Sequence, residues 1–393
     1  MFENDDNEAH EDSFGAVTNG KSIFEYKPWH KPRKQWVRDK QWWGYLQKLL
    51  IKPANNYADE VTIKYFGLPG AELLDVDYLS KKMLESTVLN DKKLLIHGVV
   101  KSPKEKQVAD SRLTKLIDRI NIDENSKVER GEFEAIANRN SMLWNKMKSI
   151  APYHFINLDF CDRVLEDATI GAVYNLLEYQ FAKTVDKRWL FCLTTKIDTS
   201  ETNSALLGRL DECLHKIEGD ELAIYNLEEY FEPVFELISK KRKISDYIDN
   251  AVKFTDIFLV GFVIWLVLTA IQCNVNFKLK SSSKYTIASD GEVPDMYSFV
   301  FEFNPFFAPQ VDHTGIATTH CSEPGQQVDI AAQKQNLMRK LSSTLDIDDM
   351  LGNNNDILEK YIDDTKQLLA GCGWDVSNYE QEMCPEFIRV SNK

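Results

Sequence analysis

The residues best suited to chemistry lie in one stretch, His154-Phe155-Ile156-Asn157-Leu158-Asp159-Phe160-Cys161-Asp162. Its apolar first half predicts a short buried strand. The second half sets an amide, Asn157, and two carboxylates, Asp159 and Asp162, where that strand leaves its sheet. Open α/β sheets bind ligands at the carboxyl ends of their strands. Asn157, Asp159 and Asp162 are therefore candidate catalytic residues. An Asp in this place also serves as a helix N-cap, because its oxygen accepts from the first free amides.

Two further groups could touch ligands. The turn Phe66-Gly67-Leu68-Pro69-Gly70-Ala71-Glu72 has two glycines, which allow close backbone approach, and a proline, which removes one donor. Glu72, Asp75 and Asp77 then open a helix. They suit its dipole and oppose a phosphate, which disfavours a P-loop or dinucleotide site. The other group is Lys27, Lys31, Arg33, Lys34, Arg38 and Lys40, interleaved with Trp29, Trp36, Trp42 and Trp43. Cations with planar aromatics can grip a nucleic-acid backbone and stack on bases. Arg33, Lys34, Trp36 and Arg38 are thus the candidate nucleic-acid contacts within residues 27–43. The competing reading is a helix that packs Trp36, Trp43 and Leu46 on the body while its cations stay solvated.

Composition narrows the classes. A net charge of −14 argues against a generally nucleic-acid-binding surface, so any polyanion contact needs a local basic patch. The seven cysteines are scattered without a C-x-x-C pair, which fits reduced thiols and no zinc site. The acidic N-terminus lacks the pattern of a secretory signal, so a cytoplasmic location is expected. Ile257 to Phe277 is uncharged, and its dense apolar part is shorter than the about 20 residues of a membrane span. A buried core helix and no membrane contact are expected there, with a membrane anchor over residues 257–277 as the alternative.

These residues need elements to position them. Strands are predicted at Val61–Leu68, Lys93–Val100, within Val128–Ile136, at the opening stretch, and at Arg188–Ile197. Helices are predicted at Ala71–Leu84, Gln107–Ile120, Met142–Ile150 and Thr169–Thr184, and a long helical tract over about Asn203–Gln272. A hairpin follows, from Asn276–Lys280 and Ser298–Phe303 around a turn at Asp290–Pro294. The fold class is α/β: a mostly parallel, doubly wound sheet with a late antiparallel hairpin. Four regions are expected: an acidic disordered tail (1–20), a basic, Trp-rich segment (21–56), the α/β domain (57–310) and an acidic helical extension (311–393).

Five alternating units and a terminal hairpin resemble the class I S-adenosylmethionine-dependent methyltransferases. The resemblance covers roughly residues 60–304. Asn157-Leu158-Asp159-Phe160-Cys161-Asp162 stands at that family's fourth-strand motif. Trp189-Leu190-Phe191-Cys192-Leu193-Thr194-Thr195 is similar to the fifth strand of the tRNA guanine dimethyltransferases. The resemblance implies S-adenosylmethionine as cofactor, with Phe66, Gly67, Gly70 and His97 on the cofactor side. It implies a nucleic-acid-related role, of the bacterial antiviral-defence kind. The chain departs from the pattern at strand two, which ends Ile96-His97-Gly98-Val99-Val100-Lys101 without the acid that usually holds the ribose hydroxyls. That departure favours a second expectation. The fold is kept, catalysis is lost, and the chain is an interaction subunit of a larger complex.

Overall fold

In the computed structural model the described residues are 17–18, 21–22, 25–163, 167–184, 187–197, 203–287, 294–305 and 330–388. Most of the acidic tail and the Asp290–Pro294 turn lie outside them in whole or part. The main sheet has eight strands: β1 (Thr62–Gly67), β2 (Lys93–Val100), β3 (Lys127–Arg130), β4 (Phe155–Arg163), β5 (Trp189–Lys196), β6 (Val275–Tyr285), β7 (Met296–Pro305) and β8 (Leu345–Asp346). Their order is β8-β6-β7-β5-β4-β1-β2-β3. The first five are parallel, and β7 lies antiparallel between β5 and β6. This is the expected α/β architecture with a late hairpin, extended at one edge by the two-residue β8, which runs parallel to β6.

Parallel strands covered on both faces read as continuous apolar runs, and β5 is buried along seven of its eight residues. One face carries α5 (Met142–Ile150), α6 (Asp167–Lys183), α7 (Ser204–His215) and α10 (Ala251–Gln272). The other face carries α2 (Gly44–Ile51), α3 (Leu74–Glu85), α4 (Pro103–Ile117) and α13 (Asn355–Ala370). The predicted helical tract is broken into α7, α8 (Glu221–Tyr230), α9 (Glu232–Ser239) and α10. Asn250 caps α10 by accepting from Lys253 N. The apolar run of α10 is buried against α7, α9, α6 and β6, as a core helix requires.

The basic, Trp-rich segment is an arm laid across the carboxyl edge of the sheet. It begins with α1 (Pro32–Trp36), widens into a π-helical stretch at Val37–Trp43, and continues as α2. π-Helical turns are rare and concentrate at functional sites. α12 (Ile347–Gly352), α13 and α14 (Tyr379–Ile388) close over the arm's outer side. Arg33 Nε bonds Asp348 Oδ1 at 2.7 Å, and Tyr361 donates to Asp39 Oδ2 at 2.9 Å.

Candidate functional site

The carboxyl edge is built where three strands end together. Gly67 of β1 sits in register with Gly98 of β2 and Asn157 of β4. A Cβ at Gly67 would lie 2.5 Å from the Asn157 carbonyl oxygen, so only glycine fits. At Gly98 it would lie 2.9 Å from Pro69 Cγ. The turn after β1 therefore folds back onto the end of β2. Gly70 takes a φ of 64°, a left-handed conformation that favours glycine.

Four charges from two sources meet over this edge. Lys34 Nζ donates to Asp159 Oδ1 at 2.5 Å and lies 4.8 Å from the Trp42 ring centroid. Arg38 Nε donates to Asp75 Oδ1 at 2.8 Å, and its Nη2 donates to Trp29 O at 2.9 Å. Both cations are 2% exposed. Burial alone would pull the Lys34 ammonium down; Asp159, with Tyr285 and Asp75 behind it, holds it above its usual range. Burial, reinforced by Asp159, keeps the Asp75 carboxyl above the usual carboxylate range despite Arg38.

Glu72 is a second meeting point. It accepts from His30 Nε2 at 2.5 Å, from Trp29 Nε1 at 3.3 Å and from Trp374 Nε1. Burial pushes the Glu72 carboxyl up, and these donors more than reverse it, leaving it low. Trp374 stacks on Tyr26 with ring centroids 5.6 Å apart, and Tyr26 Oη donates to Asp375 O. Residues from both ends of the fold are thus fastened to one carboxylate.

Between these two clusters lies a cavity of about 160 Å³. Its lining includes Trp29, Gly70, Glu72, Glu105, Asp159 and Trp374. Glu105 stands one turn into α4. Its carboxylate accepts from Ser102 N at 2.7 Å, while Ser102 Oγ accepts from Glu105 N, a capping box.

The expected residues divide between cavity and core. Asp159 and Gly70 line the cavity, and Gly67 shapes the turn beside it. Asn157 is fully buried beneath, with its side chain beside the buried Tyr65 hydroxyl and, among the described residues, no other polar partner. The Asp162 side chain lies outside the described residues. Phe66 and His97 are corrected: alternate strand residues face opposite sides, and these two enter the core away from the cavity. His97 Nδ1 bonds Tyr153 Oη at 2.7 Å, and its ring meets Phe66 edge-on at 5.4 Å. Arg33, Lys34, Trp36 and Arg38 are also corrected as surface contacts: all four are buried. Trp36, Trp43 and Leu46 do pack on the body, yet Arg33, Lys34 and Arg38 are not solvated; they are paired with Asp348, Asp159 and Asp75.

Sequence reading missed Trp29, Glu105 and Trp374 as cavity residues. Ser102-Pro103-Lys104-Glu105 is visible as a capping box, so Glu105 could have been placed just beyond β2. Nothing local marks Trp374.

The match to known proteins spans all of these parts. A family model described as PP_RS20740-like covers residues 24–383. The chain belongs to the PP_RS20740-like family. The matched span takes in the arm, the whole sheet and Trp374, so the clasp over Glu72 lies within it. No curated protein matches the chain.

Proposed function

We propose that this PP_RS20740-like chain is a methyltransferase-like protein whose carboxyl-edge cavity is the place for S-adenosylmethionine. One observation carries the reading. The cavity lies between the turn after β1 and Asp159 of β4, the two places that the resemblance gives to cofactor and acceptor. The sheet supports it, since five alternating units lead into a hairpin whose second strand inserts beside β5. The donor set also fits. Trp29 and Trp374 offer ring faces and edges to a purine. Glu105 offers a carboxylate to ribose hydroxyls and takes the place of the acid absent from the end of β2. The Gly70 backbone is open to approach from the cavity. Asp159 and the buried Asn157 belong to the acceptor side. Methyl transfer draws mainly on positioning in a dry pocket, and the cofactor, when bound, supplies the methyl group. The fit falls short in volume: about 160 Å³ is below the range of about 300–1,000 Å³ common for small-molecule sites.

That shortfall, with Lys34 locked on Asp159, favours a second reading, an inactive interaction subunit that keeps the fold. The burial of Arg33, Lys34 and Arg38 takes these cations away from any nucleic-acid contact, so a nucleic-acid-related role is left to the resemblance alone. Mass spectrometry of denatured purified protein, with calorimetric titration of S-adenosylmethionine, decides between the two. We expect co-purified S-adenosylmethionine or S-adenosylhomocysteine, and a binding heat weakened at least tenfold by Glu105→Gln. No bound nucleoside and no heat would leave the subunit reading.

A further inference from the structure

We infer that residues 25–36 form a strap that occupies its own site, and that Lys34 holds the place of an incoming primary alkylamine. This deepens the proposed function and rests on it for the word acceptor; the cation site itself stands on geometry alone. The strap is held by hydrogen bonds and ion pairs at the carboxyl edge and by the buried rings of Tyr26 and Trp36. Lys34 meets Asp159, Arg33 meets Asp348, and His30 and Trp29 meet Glu72. Each of these is a carboxylate on the body bonded to a donor on the strap. Lifting the strap would leave Glu72 and Asp159 facing one cleft rimmed by Trp374. Two carboxylates beside an aromatic ring suit a cationic group.

The details favour an alkylammonium over a base amine. Asp159 receives a tetrahedral ammonium at 2.5 Å, and the Trp42 ring lies 4.8 Å from the same nitrogen. A hinge is in place. The π-helical stretch at Val37–Trp43 begins where the strap ends, and its Arg38, Asp39 and Gln41 remain tied to Asp75, Tyr78 and Ser281. The strap can therefore leave, with the bond from Arg38 to Trp29 O broken, while Arg38, Asp39 and Gln41 stay tied to the body. Its departure would also enlarge a cavity whose walls include Lys27, Trp29 and His30.

The test uses the full chain with Lys34→Ala and Lys34→Gln. n-Butylammonium should raise the melting temperature of Lys34→Ala saturably, by several degrees. Tetramethylammonium at equal ionic strength should not, and neither the wild type nor Lys34→Ala/Asp159→Asn should respond. Adenine in place of the alkylammonium should also be without effect. In Lys34→Gln, amide hydrogen exchange should rise at least tenfold within residues 26–36 and stay at wild-type levels in β1, β2 and β4. The inference is overturned if n-butylammonium does not stabilise Lys34→Ala, if adenine does so instead, or if exchange rises uniformly through the sheet. Should Lys34→Ala fail to fold, the exchange pattern of Lys34→Gln decides by the same criteria. An alkylammonium effect without any S-adenosylmethionine heat would retain the cation site and remove the cofactor reading. Cofactor heat without the alkylammonium effect would do the reverse.

Discussion

His97 shows what a buried polar residue does when it is not at the site. Burial holds its imidazole down to about 4, far below its ordinary value of 6.5. Above pH 6.5 the ring is neutral in both folded and unfolded chains, and stability is unaffected. As pH falls from 6.5 towards 4, the unfolded chain takes a proton that the folded chain refuses. Stability should then drop by about 1.4 kcal/mol per pH unit, on the order of 3 kcal/mol in all. Urea unfolding of wild type and His97→Gln across this window checks it; equal slopes for the two proteins would refute the assignment. Sequence alone could place His97 at the end of a strand but not on a face. The same limit affected Phe66, since a one-residue change in register sends a side chain to the other side of the sheet. Asn157 and Asp159 were legible because polar residues interrupt an apolar run there.

At the scale of elements, the periodic signals served well. β2 was delimited at Lys93–Val100, and the first, fourth and fifth strands were placed to within a few residues. The hairpin is longer than expected, reaching Tyr285 and starting again at Met296, because polar Ser281, Ser282 and Ser283 continue β6 past its apolar part. The predicted third strand stops at Arg130, and a 3-10 turn takes over at Phe133–Ala137. No local pattern announces the π-helical stretch or β8, since both depend on tertiary partners. α10 offers a direct test of core packing. A Cβ on Gly261 would meet Leu210 Cβ at 3.5 Å and Leu214 Cδ1 at 3.6 Å, ordinary contact distances. Gly261→Ala should therefore gain up to about 1 kcal/mol from helix propensity, read as a higher denaturation midpoint. A loss would mean that α7 and α10 are too close to accept a methyl group.

Across the whole molecule, the arm and the C-terminal helices are the parts that hydropathy could not locate. Their contacts join residues more than a hundred positions apart, such as Lys34 with Asp159 and Arg33 with Asp348. Charge counts along the segment suggested an outward, basic surface. The fold instead turns those cations inward, where leaving any buried carboxylate unpaired would be costly. Trp374 is the lever for testing how the two ends cooperate. Trp374→Ala removes one donor to Glu72 and the stack on Tyr26. Hydrogen exchange should rise at least tenfold in residues 26–31, with β1, β2 and β4 unchanged. Unchanged protection of 26–31 would show that His30 and Trp29 suffice to hold the strap.

The fastening at Glu72 also imposes an order on synthesis. A ribosome that has made every strand through Pro305 has still not delivered Trp374. The nascent sheet can pair its first seven strands while its carboxyl edge lacks one wall. Closure of the cavity thus waits on a segment made about 70 residues later. Any chain cut short in that interval would hold the first seven strands, the arm's cations and Asp159, but not Trp374.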